Sequence, residues 1–132
     1  MVAYNFMAQF AEPVRNGSKP HTVRANGKRR HAVAGEMLQL YTGMRSPNCV
    51  LLREVPCIGS WPAHLPVSAK HGPLIWSIAG RSMGCETMDT FAQNDGFHNA
   101  LHMAEWLVET HGEDFTGTLI AWEWKPYLPA LT

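Results

Sequence analysis

Cysteine is sparse in this chain and carries no pairing signal. Cys49, Cys57 and Cys85 are odd in number and none stands in a Cys-x-x-Cys spacing, so neither a disulfide framework nor a thiolate metal site is indicated. They read as buried free thiols in a reducing cytosol. No apolar run approaches the roughly 18 residues that a membrane helix needs, so a helical membrane span is excluded. The opening Met1-Val2-Ala3-Tyr4-Asn5-Phe6 has no basic region ahead of an apolar block, which argues against a secretory signal. A cytoplasmic location is expected. Internal repeats and low-complexity segments are lacking, no cofactor motif stands out, and the formal net charge is zero.

What is present is an ordinary globular balance. Hydrophobic residues make up 45% and charged residues 17% of 132 positions, enough for one domain, residues 1–132, with a core of its own. The zero net charge conceals an asymmetry. Residues 1–60 carry eight Lys/Arg against three Asp/Glu, and residues 61–132 carry three against eight. The positive charge gathers at Lys19, Arg24, Lys28, Arg29 and Arg30, with His31 adjoining. Such a loop either contacts phosphate or is simply solvated; its closeness to Lys19 favours the phosphate reading.

The periodicity predicts mostly short strands. Tyr4, Phe6, Ala8 and Phe10 alternate through a first strand over Ala3 to Phe10. Glu12 to Gly17 reads as one helical turn with proline near its start and glycine past its end. Further strands are expected at His21–Ala25, Met37–Tyr41, Cys49–Val55 (ended by Pro56), Leu74–Ile78 and Thr118–Trp122. A main helix is marked by Phe97, Leu101, Ala104 and Val108, with Asp95 as its N-cap and Gly112 as its stop, and a short helix precedes it at Asp89–Asn94. The expected class is α+β: a small, partly open β-barrel of about six strands, one main helix and short flanking helices.

The segment whose residue types point to chemistry is Gly17-Ser18-Lys19-Pro20-His21-Thr22-Val23-Arg24. In a strand, Thr22 and Arg24 share a face, and Lys19 just before it can turn its ammonium over that face. A cation, a hydroxyl and a guanidinium on one small surface suit a phosphate, a carbonyl or a nucleobase edge. Lys19 is expected at the surface of a cleft, where its removal would cost little stability. Tyr41 and Arg45, at the end of the third strand, are secondary contact candidates.

Gly17-x-Lys19-x-x-Thr22-x-Arg24 resembles the opening motif of the ASCH domain, a small relative of the PUA domain of RNA-associated proteins. Ala34-Gly35-Glu36 with its following apolar alternation resembles that family's Pro-Gly-Asp strand, with alanine in place of proline. Asp95-Gly96-Phe97 stands where the family has Glu-Gly-Phe, and Phe115-x-Gly117-x-Leu119-Ile120-x-Trp122 is similar to its closing strand. The resemblance spans nearly the whole chain and implies a PUA-like fold with RNA, a nucleoside or a nucleotide as ligand. In ASCH proteins that hydrolyse N4-acetylcytidine, the motif lysine and threonine act with the glutamate. By resemblance, the catalytic set here would be Lys19, Thr22 and Asp95, with Arg24, Lys28, Arg29, Arg30, Tyr41 and Arg45 binding ligand. The first reading is a binding domain; the alternative is a small N4-acylcytidine amidohydrolase or ribonuclease using the same cleft.

Each candidate also has a purely structural explanation. Aspartate is one methylene shorter than glutamate and is itself a favoured helix cap. Thr22 is also a good strand residue. His98 and His102 have the i, i+4 spacing of a zinc pair, but no motif glutamate or third ligand accompanies them, so no metal is assigned. Trp76, Trp106 and Trp122 lie in apolar segments and read as core, while Trp61 and Trp124 are the tryptophans expected to be exposed for stacking.

Overall fold

In a computed structural model, which describes residues 1–131, the chain forms nine strands and three helices. β1 (Val2–Phe6) buries Tyr4 and Phe6. The strand stops there. The expected alternation through Phe10 instead enters α1 (Ala8–Asn16), where Phe10 and Val14 are buried four residues apart on one helix face. Pro13 therefore lies inside α1, and Gly17 closes the helix with a left-handed φ of 88°. β2 (His21–Ala25) has the expected bounds. β3 (Met37–Thr42) and β4 (Val50–Pro56) follow close to expectation.

The longest strand, β5 (Gly59–Ser68), is not among the expected ones, and Pro62 and Pro66 interrupt its pattern. On one side β5 meets only the two-residue strands β6 (Gly72–Pro73) and β7 (Ser77–Ile78), so a missing ladder donor there is inexpensive. β8 (Arg81–Ser82) completes that edge. The strand expected at Leu74–Ile78 is correspondingly reduced. Leu74 and Ile75 are exposed, whereas Trp76 is fully buried with its indole N–H donating to the Pro66 carbonyl at 3.1 Å.

α2 (Cys85–Asn94) is longer than expected and buries Met88, Phe91 and Ala92. α3 (Ala100–His111) begins five residues after Asp95. Its N-cap is Asn99, whose side-chain oxygen accepts from the His102 amide at 2.9 Å. Asp95 is thus not an N-cap; it follows α2 as its C-cap. The buried stripe of α3 is Ala100, Met103, Ala104 and Leu107, so Leu101 faces out. Gly112 ends α3 as expected, and β9 (Asp114–Ala121) closes the order.

The strands form two hydrogen-bonded sheets. One runs β1-β3-β4, with β1 and β3 parallel; the other runs β2-β9-β5-β7-β8, with β6 paired to β5. The class is α+β with a mixed sheet, and among the described residues the strands do not close into a barrel. The core between sheets and helices includes Leu38, Leu40, Leu65, Trp76, Phe91, Leu119 and Ile120. Of the cysteines only Cys57 is buried; Cys49 and Cys85 are exposed free thiols. No helix among the described residues is long and apolar enough to cross a membrane.

Candidate functional site

The site is built where the ends of α1 and α2 meet β2. After Gly17, the chain is drawn back onto α1 by the Lys19 amide, which donates to the Pro13 carbonyl at 3.0 Å. It is fixed to the segment after β9 by the Trp122 amide donating to the Pro20 carbonyl at 2.9 Å. Pinned at both points, the loop sends the Lys19 side chain inward, leaving the residue 2% exposed. The lysine expected at the surface is a buried one.

Its partner is Asp95. The Lys19 ammonium lies 3.0 Å from Asp95 Oδ1 and also donates to the Asp95 backbone carbonyl. The ammonium sits 4.9 Å from the Phe10 ring centroid and 5.9 Å from that of Phe6, within cation–π range. Gly96 makes this approach feasible. Its φ is +103°, and a Cβ there would stand 2.8 Å from the Phe10 ring. Only glycine turns the chain so tightly beside the aromatic wall.

Asp95 Oδ1 has a second partner, His21 Nδ1 at 2.8 Å, and His21 Nε2 is 2.6 Å from the Tyr127 hydroxyl. Asn94 Nδ2 in turn donates to that hydroxyl at 2.9 Å. His21 is wholly buried and stacks on Phe91 with centroids 5.0 Å apart. Burial pushes its imidazole below the ordinary value, outweighing the Asp95 carboxylate. Burial alone would raise the Asp95 carboxyl, but the Lys19 charge and the His21 hydrogen bond hold it below the usual carboxylate range. Burial also pulls the Lys19 ammonium down, opposed by Asp95. Because the carboxylate is ionised and touches both groups, the resting pair is an ammonium–carboxylate ion pair beside a neutral imidazole.

Thr22 and Arg24 do share a face. Arg24 Nε donates to Thr22 Oγ1 at 3.3 Å and Nη2 to the Asn5 carbonyl at 2.7 Å, with the guanidinium 4.7 Å from the Phe6 ring centroid. Lys19, Thr22, Arg24 and Asp95 all line one cleft of about 200 Å³, walled by Phe6, Phe10, Phe97 and Trp106 with His111 among its lining residues. Four residues separated by up to 76 positions thus converge on a single cavity.

The other candidates lie elsewhere. Lys28, Arg29 and Arg30 are exposed, and Arg29 and Arg30 line a separate groove with His31, Trp61 and Pro62. Arg30 is engaged by Glu36 through two hydrogen bonds of 2.7 and 2.8 Å. That fork, with the Val33 amide, lowers the Glu36 carboxyl to about 2. Tyr41 is half-buried on β3 and Arg45 sits exposed in the following turn with φ 65°; neither lines the cleft. Trp76 and Trp122 are buried as expected, Trp106 is partly buried, and Trp61 is half-buried on β5. His98 and His102 stack on each other, and among the described residues no group of three or more His, Cys, Asp or Glu could hold a metal ion.

His21, Asn94 and Tyr127 carry no motif that sequence reasoning assigned. His21 stands inside the Lys19–Thr22 segment, and alternation along β2 puts it on the face opposite Thr22. No family model, curated protein or solved structure matches this chain.

Proposed function

We propose that the cleft binds a nucleobase-sized group carried by RNA or by a free nucleoside, as the ASCH resemblance implies, within a PUA-like cytoplasmic domain. The observation that carries this reading is the convergence of Lys19, Thr22 and Arg24 in one aromatic-walled cavity of about 200 Å³. That volume is below the roughly 300–1,000 Å³ of drug-sized ligand sites, so it admits one ring system and leaves sugar and phosphate outside. The aromatic walls offer edge and face contacts to a planar ring, and Thr22 and Arg24 offer polar contacts to its edge.

Hydrolysis is the second reading, favoured by one specific observation. Asp95 does not cap a helix N-terminus but contacts Lys19 at 3.0 Å. Lys19 passes its own proton to the Asp95 carboxylate, and the free amine so formed, in the same cleft as Thr22, takes the Thr22 hydroxyl proton. Thr22 Oγ then bonds to the acyl carbon, the carbon–nitrogen bond breaks, and the proton passes to the leaving amine. Water cleaves the resulting threonine ester, releasing the acid and restoring the hydroxyl.

The test is calorimetric titration with cytidine, N4-acetylcytidine and short single-stranded RNAs, coupled to product analysis. Thr22→Val should abolish turnover and weaken binding, while Thr22→Ser should retain both in part. Binding without turnover leaves the binding domain alone. Neither binding nor turnover with any of these ligands overturns both readings.

A further inference from the structure

We propose that His21 is a positioning residue for the Lys19–Asp95 pair: held as the Nδ1–H tautomer between the Asp95 carboxylate and the Tyr127–Asn94 pair, it aims that carboxylate at Lys19 and, with Lys19, keeps it ionised. This rests on reading the cleft as the binding site only where ligand binding is concerned; its structural core does not.

The argument begins with donors and acceptors. Asn94 Nδ2 is a donor only, so at 2.9 Å the Tyr127 oxygen must accept from it. The Tyr127 O–H is then free to donate, and its other neighbour is His21 Nε2 at 2.6 Å. A nitrogen that accepts carries no hydrogen, so the neutral ring's proton resides on Nδ1. Nδ1 faces Asp95 Oδ1 at 2.8 Å and donates to it. Each link thereby fixes the next, from the amide of Asn94 to the carboxylate. The chain of bonds ends on the same Oδ1 that Lys19 approaches at 3.0 Å.

A charged imidazole is not needed, and the site disfavours one. His21 has no exposure, lies flat on Phe91 with centroids 5.0 Å apart, and is near a second cation in Lys19. The groups that face this network are few. Lys19 acts on His21 and Asp95 from the cleft side with Arg24 beyond it, Asp95 from the end of α2, and Tyr127 from the segment after β9. On its far side Tyr127 lines a groove with Arg81, Glu86 and Lys125. Burial and the Asp95 charge both raise the Tyr127 phenol, so it remains a donor at every working pH.

The experiment is nitrogen NMR of ring-labelled histidine in the intact protein, with carboxyl carbon titration of Asp95. His21 should show a pyrrole-type Nδ1 and a pyridine-type Nε2 across neutral pH. His21→Leu should raise the Asp95 midpoint by about 1 to 2 units, the worth of one lost hydrogen bond to a charged group. His21→Asn, whose amide N–H can replace the Nδ1 donor, should restore most of that shift, which a merely space-filling role would not predict. Tyr127→Phe keeps the ring against Phe91 and removes the donor to Nε2, so the Nδ1–H tautomer should persist on the Asp95 carboxylate while the Nε2 resonance moves downfield to that of a free pyridine-type nitrogen. The proposal is overturned by an Nε2–H tautomer in the parent, or by an unshifted Nε2 resonance in Tyr127→Phe. Should His21→Leu not fold, the parent and Tyr127→Phe spectra decide alone. Absence of nucleoside binding would defeat the reading of the cleft without touching these spectra.

Discussion

Asp95 meets Lys19 at 3.0 Å across 76 residues of sequence, with both side chains almost fully enclosed. A buried ion pair is not by itself a large source of stability, because desolvating both charges offsets most of their attraction. Its consequence is asymmetric: either partner left alone is an uncompensated charge in the interior.

Breaking the pair is therefore expensive. Lys19→Met and Asp95→Asn should each lower unfolding free energy by about 3–5 kcal/mol. In Lys19→Met the imidazole of His21 is the sole remaining side-chain partner of Asp95 seen in the parent network. The double variant Lys19→Met/Asp95→Asn should lose markedly less than the sum of its parts. Urea denaturation of the four proteins measures this, and additive losses would show that the pair is not coupled. A substitution of Lys19 thus tests function and stability together.

Gly96 should not tolerate a side chain. Its φ of +103° is unfavourable for any L-residue, and the added Cβ would stand 2.8 Å from the Phe10 ring. Gly96→Ala should cost upward of about 1–3 kcal/mol for the backbone alone. Thermal unfolding should show the loss, and a partial recovery in Gly96→Ala/Phe10→Leu would assign the rest to the ring contact.

Acid should weaken the fold in two steps. The His21 imidazole is held below its unfolded value of about 6.5, so as pH falls through 6.5 the unfolded chain binds a proton that the native chain refuses. Stability therefore declines as pH drops below about 6.5. The Asp95 carboxyl, held below about 3.9, contributes stability that is complete above that value and is lost as pH falls through its folded value. His111, also depressed by burial, acts in the same direction as His21. Denaturation midpoints between pH 4 and pH 8 for the parent and for His21→Asn should diverge, the variant being flatter around pH 6.

The basic loop separates into free and engaged charges. Arg30 is bound to Glu36, while Lys28 and Arg29 have no hydrogen-bonded partner among the described residues. Neutralising Lys28 and Arg29 should reduce the log–log salt slope of single-strand RNA binding by about 1.4, at roughly 0.7 per phosphate contact. Arg30→Gln should change the slope little. Equal effects at all three positions would show that RNA displaces Glu36.

The cap of α3 is testable directly. Asn99→Ala should cost about 1 kcal/mol, because its side chain satisfies the His102 amide. The effect should appear in thermal unfolding without altering the His21 signature.

What could be read from the sequence was local. The strand bearing Thr22 and Arg24 was legible because alternation needs no partner to be recognised, and β2 has the bounds expected of it. Asp95 stands out through its Gly-Phe neighbours, but the N-cap expected of it falls to Asn99, since both residues suit a helix start and only packing selects between them. β5 was hidden by Pro62 and Pro66, whose disruption matters less where the neighbouring strands are two residues long. The start of α1 was hidden because Ala8 and Phe10 prolong a strand-like alternation into a helix. His21 was illegible for a deeper reason. Its partners lie 74 and 106 residues away, and nothing near it in the chain announces them.

Those separations also set when the site comes into being. Local helices form in microseconds, but contacts between distant parts of a chain wait on the closure of long loops. Lys19 and His21 acquire their surroundings only after α2 has docked on β2 and the segment carrying Tyr127 has come to rest beside it. The cleft should accordingly be among the last features to assemble, with the lysine of a partly folded chain still in water as an ordinary ammonium. Enclosure of Lys19 should then mark completed folding, and a lysine-modifying reagent in time-resolved refolding should register its protection late.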